Sequence, residues 1–187
     1  MSPLSVMRWL WGAWLISWLI AASWANRTEA RPQRSAEALY RVLTVTGVAL
    51  LFVSNRYFSP QLTLWETPIS LGWSLAGLTL AGFLFCWWAR LHLGRMWSSS
   101  VTRKADHHIV DTGPYAFVRH PIYTGIITAC AAMAAQRGTV AGLAGLVLVI
   151  LGFWIKARLE ERFLRIELGA EPYDAYAKRT GMLFPGL

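Results

Sequence analysis

Charge is what this sequence has least of. Only 15% of its 187 residues are charged, against about 25% in an ordinary soluble domain, too few to clothe a core of that size in a water-facing surface. Cysteine is scarce too. Cys86 and Cys130 both fall inside apolar runs, which gives neither a disulfide framework nor metal-ligand spacing, and they read as small buried side chains. The low hydrophobicity that disorder requires is also missing, since 55% of the residues are apolar. What is abundant is apolar sequence, with eleven tryptophans. This is the composition of a membrane protein.

Five apolar runs can be delimited, at residues 4–25, 39–58, 67–89, 122–136 and 138–155. Arg8 alone interrupts the first run, and Arg41 and Arg56 lie near the ends of the second, where long side chains snorkel to the interface. A spanning helix needs about 20 apolar residues, which four runs supply. Residues 122–136 would rise only about 22 Å, so they are read with the next run as a tight helical hairpin turning at Arg137-Gly138. The expected fold is therefore all-α, a multi-pass bundle of five transmembrane helices with a C-terminal cytoplasmic helical segment. It forms one membrane-embedded domain over 1–187: three spans in 1–90, then a loop, the short hairpin and a C-terminal helix in 91–187.

Charge placement sets the expected orientation. Of eighteen Lys and Arg residues, fifteen fall in alternate segments: Arg27, Arg31, Arg34 and Arg41; Arg90, Arg95, Arg103, Lys104 and Arg119; and Lys156, Arg158, Arg162, Arg165, Lys178 and Arg179. Arg8, Arg56 and Arg137 are the other three. Positive residues collect on the cytoplasmic side, which places the N-terminus outside and the C-terminus inside, in the cytoplasmic membrane if the protein is prokaryotic. The net charge of +8 is then topology, and no nucleic-acid partner is needed to explain it. A cleaved signal peptide ending near Ser23-Trp24-Ala25 is the alternative for the first run. It would strand four arginines on the outer face.

Within the spans, Gly138 and Gly142, Ala141 and Gly145, and Gly77 and Ala81 have the four-residue spacing that lets helix backbones approach, read as packing inside a monomer. Trp9, Trp11, Trp65, Trp73 and Trp87 read as an interfacial belt.

The informative stretches are residues 91–126 and those after Ile155, both cytoplasmic by the charge rule. The first holds all four histidines, His92, His107, His108 and His120, but lacks partners at metal-ligand spacing, so no metal is expected. Asp111-Thr112-Gly113-Pro114-Tyr115 reads as a turn. In Arg119-His120-Pro121-Ile122-Tyr123-Thr124-Gly125, Pro121 suits a first helical position. His120 then stands at a helix mouth whose free N–H groups favour an anion. A helix continuing to Leu168 puts Phe153, Lys156, Ala157, Glu160, Phe163, Leu164 and Glu167 on one face. Glu160 is thus the carboxylate among aromatic and apolar neighbours. Glu161 has Arg158 and Arg165 one turn away on either side, as on a solvated face.

These residues resemble the cofactor-binding region of the isoprenylcysteine carboxyl methyltransferases and the wider group of membrane phospholipid methyltransferases. The likeness is carried by residues 107–125, by Glu160-Glu161, and by Leu168-Gly169 with Tyr173 and Tyr176, and it covers residues 91–185. It implies an S-adenosylmethionine-dependent enzyme acting on a lipophilic or prenylated acceptor drawn from the lipid bilayer. By matching positions, His107, His108, Ile109, Val110 and Tyr115 would line the S-adenosylmethionine site. His120, Pro121, Ile122 and Tyr123 would meet the cofactor's amino-acid end, and Glu160 would contact the cofactor. Where the family has an arginine one turn before that glutamate, this chain has Lys156, so Lys156, Arg158 or Arg119 would orient the acceptor. A carboxylate acceptor needs such a cation and no general base; a lipid amine would have to lose a proton. The competing readings are an NADPH-dependent reductase of the sterol type, whose Arg-His-x-Asn-Tyr-x-Gly-Asp string is not matched at Pro121, Ile122 and Ile126, and a non-enzymatic membrane scaffold.

Overall fold

The structure, a computed structural model, describes residues 1–22, 34–53, 62–94 and 109–186. The described residues form six α-helices: α1 (Pro3–Ala22), α2 (Arg34–Phe52), α3 (Ile69–Leu93), α4 (Pro121–Arg137), α5 (Val140–Glu167) and α6 (Ala170–Arg179). A short 3-10 turn spans Gly113–Ala116, within the turn anticipated there. By length and composition, α1, α3 and α5 can each cross a bilayer. The other two long helices do not meet that measure. α2 carries Arg34, Glu37 and Arg41 in its first turns, and the 17 residues of α4 rise only about 25 Å.

Two tight helix pairs make the core, α2 against α5 and α3 against α4, and glycine sets both distances. A Cβ on Gly125 would stand 2.5 Å from the carbonyl oxygen of Gly82, and one on Gly145 would stand 2.6 Å from that of Gly47. Of the small residues expected to mediate packing, Gly145 does so, whereas Gly77 faces open space. The Cys86 thiol donates to the Ile122 carbonyl at 3.3 Å across α3 and α4, so this cysteine is a packing residue. α1 lies on α3 through rings: Trp14 stacks on Phe83 at 5.0 Å and Trp11 meets it edge-on at 4.9 Å. Trp11 is buried and belongs to the core, not to an interfacial belt, because its helix face is the one turned to Phe83. Buried Arg90 closes the ends of α1 and α3, donating to the carbonyls of Ala21 at 3.0 Å and Gly94 at 2.7 Å.

The hairpin turns where expected. Gly138 takes the left-handed conformation (φ 58°) at the end of α4, and Thr139 caps α5 by accepting from the Gly142 amide. Two features of the hairpin place the site. Tyr123 and Phe153 lie equally far from the turn, so they meet across it, with ring centroids 4.8 Å apart. α5 is also much longer than α4, so residues 156–167 run on past the start of α4.

Candidate active site

The site forms where the start of α4 meets this protruding part of α5. His120 caps α4, with Pro121 at the first helical position. Tyr123, one turn in, directs its hydroxyl to both carboxylate oxygens of Glu160 at 2.7 Å, and its ring stacks on His120 with centroids 5.2 Å apart and planes 4° off parallel. His120 bridges the two glutamates, with Nδ1 3.5 Å from Glu160 and Nε2 3.4 Å from Glu161. Lys156 completes the cluster, its Nζ 3.8 Å from Glu160 and 5.1 Å from the centre of the Tyr123 ring. Glu160 is thus a carboxylate held among aromatic rings by an imidazole, a phenol and an ammonium.

Glu161 departs from the surface pairing expected of it. Its side chain is 13% exposed, as enclosed as that of Glu160 at 17%, and Arg119 Nε donates to it at 2.6 Å. Arg165 instead pairs with Asp174 at 2.7 Å, and exposed Arg158 lies over the Trp154 ring. One-turn spacing sees only neighbours on the same helix, whereas Arg119 and His120 arrive from another segment and claim both successive glutamates. Of the three cations considered for orienting an acceptor, Lys156 alone joins the Glu160 cluster. Arg119 donates to Glu161 and to the carbonyls of Ala177, at 3.0 Å, and Thr180.

The preceding segment packs against the same place. Val110 and Tyr123 contact the small core of Ala89, Tyr115 and Ile122, with Ile109 half-buried. The Tyr115 carbonyl accepts from the Tyr176 hydroxyl at 2.8 Å. His107 and His108 lie outside the described residues. The C-terminal strap over the site carries no local sequence signal. Val118 and Gly181 form an isolated parallel bridge, the amides of Arg119 and His120 donate to the carbonyls of Gly181 at 2.9 Å and Met182 at 3.1 Å, and the Thr124 hydroxyl donates to the Leu183 carbonyl at 2.6 Å.

Burial works against a charged His120, but its contacts with Glu160 and Glu161 outweigh burial and raise its pKa above the ordinary histidine value. A group whose pKa is raised on folding contributes stability that is fully present below its unfolded pKa, about 6.5, and is lost as pH rises through the folded value. The melting temperature of wild type relative to His120→Gln should therefore be highest in mildly acidic buffer and narrow as pH rises above neutrality. A difference that widens with pH would mean that His120 is held neutral.

Residues 75–166 match the model of the isoprenylcysteine carboxyl methyltransferase family. The chain is 29% identical over 149 residues to the cobalt-zinc-cadmium resistance protein CzcN of Cupriavidus metallidurans, an alignment covering 78% of this chain and 61% of that protein. Its fold is similar to that of the eukaryotic intramembrane Ras methyltransferase ICMT, with a TM-score of 0.52 and 20% identity over 83% of this chain and 54% of that one. The chain thus spans about three fifths of the curated relative and about half of the solved structure. The matched residues contain Tyr115, the α4 start and the Glu160-Glu161 pair, so the chain, with three helices long and apolar enough to cross a membrane, is similar to the isoprenylcysteine carboxyl methyltransferase family over the part that holds the candidate site.

Proposed function

We propose that this protein is an integral membrane methyltransferase that uses S-adenosylmethionine to methylate a lipophilic acceptor, best fitted by a prenylcysteine-type carboxylate. The observation that carries the reading is Glu160, enclosed with Tyr123, His120 and Lys156 inside the family-matched residues. The donor set fits the cofactor. The enclosed Glu160 carboxylate suits one of its cationic groups, and the buried His120 Nε2, which makes no hydrogen bond of normal geometry, suits its carboxylate. When bound, S-adenosylmethionine would supply an electrophilic methyl group. Glu160 would hold a cationic part of it, His120 with Pro121, Ile122 and Tyr123 would hold its amino-acid end, and Ile109, Val110, Tyr115, His107 and His108 would line the rest. Lys156 would orient an acceptor carboxylate, which is already ionised and needs no base. In-line transfer then depends on alignment and exclusion of water, which the stack of His120, Tyr123 and Phe153 provides. Five spans, with the N-terminus outside and the site at the cytoplasmic face, complete the proposal. The charge distribution supports that orientation.

Purified protein should bind S-adenosylhomocysteine and transfer a radiolabelled methyl group to a prenylcysteine bearing a free carboxylate. Mass spectrometry of copurifying small molecules provides the opposing arm. A bound nicotinamide cofactor and no affinity for S-adenosylhomocysteine would replace this reading with a reductase.

A further inference from the structure

We propose that Tyr40, on α2, binds the methyl acceptor through its hydroxyl, donating a hydrogen bond to the carboxylate oxygen that is not methylated. The inference rests on the methyltransferase reading above. α2 lies outside the residues that match the family model, so the family likeness says nothing about Tyr40. Close helix approach brings it in. A Cβ on Gly152 would stand 3.1 Å from the Tyr40 carbonyl oxygen and closer still to the Thr44 hydroxyl. With α2 pressed onto α5 there, the centre of the Tyr40 ring lies 5.7 Å from the Lys156 Nζ. Its hydroxyl is within electrostatic reach of the Glu160 carboxylate and the Tyr123 hydroxyl. Tyr40 is only 4% exposed, yet this hydroxyl has no hydrogen-bond partner.

A buried hydroxyl without a partner costs free energy, and the residues around Tyr40 show which half of it is unmet. Arg41 and Lys156 carry donors and no acceptor, so whatever either gives to the phenol oxygen, neither can take its proton. Glu37, one turn earlier on α2, is also buried. Its Oε2 accepts from Arg41 at 2.8 Å and its Oε1 makes no hydrogen bond, so the Tyr40 proton is not spent there. Both Glu160 oxygens accept from Tyr123. What fits beside Tyr40 is therefore a ligand that accepts a hydrogen bond. An ionised carboxylate qualifies and a protonated amine does not. A carboxylate also has two oxygens, so one can be held while the other reacts. The free oxygen forms the new C–O bond to the methyl group as the C–S bond breaks and its electron pair returns to sulfur, and the Tyr40 proton stays on the phenol.

The test compares wild type with Tyr40→Phe, which removes the hydroxyl and keeps the ring. KM for a prenylcysteine with a free carboxylate should rise about tenfold or more, the scale of a hydrogen bond to a charged group, with S-adenosylhomocysteine affinity near wild type. Inhibition by the matching prenylcysteamine, the same molecule without its carboxylate, should be unchanged. Without ligands the variant should melt at or above the wild-type temperature, because it no longer buries an unmet donor. A hydroxyl spent inside the fold would instead lower it. An unchanged KM, an equal loss of prenylcysteamine binding, a loss of cofactor affinity, or a lower melting temperature without ligands would each overturn the proposal. Failure to fold counts with the last of these, and a melting defect that vanishes in a Glu37→Met background would assign the hydroxyl to Glu37. Wild-type protein that binds no S-adenosylhomocysteine would overturn the methyltransferase reading, and this proposal with it.

Discussion

Glu160→Gln is expected to remove most of the protein's affinity for S-adenosylhomocysteine while lowering its melting temperature less than Glu161→Gln does, because His120 can shed its proton when the charge of Glu160 is lost. Truncating one partner of a desolvated charge pair costs about 2–5 kcal/mol of binding, and Glu160 is the carboxylate on which Tyr123, His120 and Lys156 converge. A glutamine there still accepts from the Tyr123 hydroxyl, so packing is kept and charge alone is lost. Glu161→Gln should show the reverse pattern. Its carboxylate pairs with Arg119 at 2.6 Å, and a buried cation left without its partner destabilises by about 3–5 kcal/mol. Calorimetric titration and thermal melting of both variants in the same detergent separate the two roles. Equal losses of affinity with unchanged melting would put both carboxylates on the cofactor.

Arg119→Met should be the most destabilising single change near the site, by about 3–5 kcal/mol, the range for breaking a buried ion pair. It leaves Glu161 without its guanidinium and the carbonyls of Ala177 and Thr180 without their donor. Those carbonyls belong to the end of α6 and the strap after it, so the loss should be local before it is global. Limited proteolysis should cut between α6 and Phe184 in the variant at protease levels that spare the wild type. A variant that resists cleavage and melts like wild type would show that the strap is held without Arg119.

Features fixed by backbone chemistry or by repetition along one helix were legible in the sequence. Pro121 marked the start of α4 because it lacks the N–H that a first turn leaves unused. Gly138 marked the turn because the left-handed conformation there favours glycine. The stripe from Phe153 to Leu164 placed Glu160 inward because helical periodicity needs no knowledge of the partner. Contacts between distant segments were not legible. Glu161 was assigned to Arg158 and Arg165 by one-turn spacing, but Arg119, from a segment that follows α3 by many residues, takes it. Tyr40 sits on an unremarkable second turn of α2, and only the Gly152 crossing brings it to Lys156. The small-residue spacing at Gly77 and Ala81 failed for the same reason: spacing shows that helices can approach but not which one does. In α3 the approach falls at Gly82.

The strap has a consequence for the order in which the protein is made. Once synthesis has reached Glu167, all five long helices have been made, with His120, Tyr123, Lys156 and both glutamates among them. The acceptors for the Arg119 and His120 amides and for the Thr124 hydroxyl are the carbonyls of Gly181, Met182 and Leu183, which emerge from the ribosome only later. The guanidinium and the two carboxylates are therefore made before the segment that completes their arrangement. The last steps of synthesis are those that give the site its geometry, and an incomplete chain should be recognisable by an α4 start that is open to solvent exchange until residue 183 has been released.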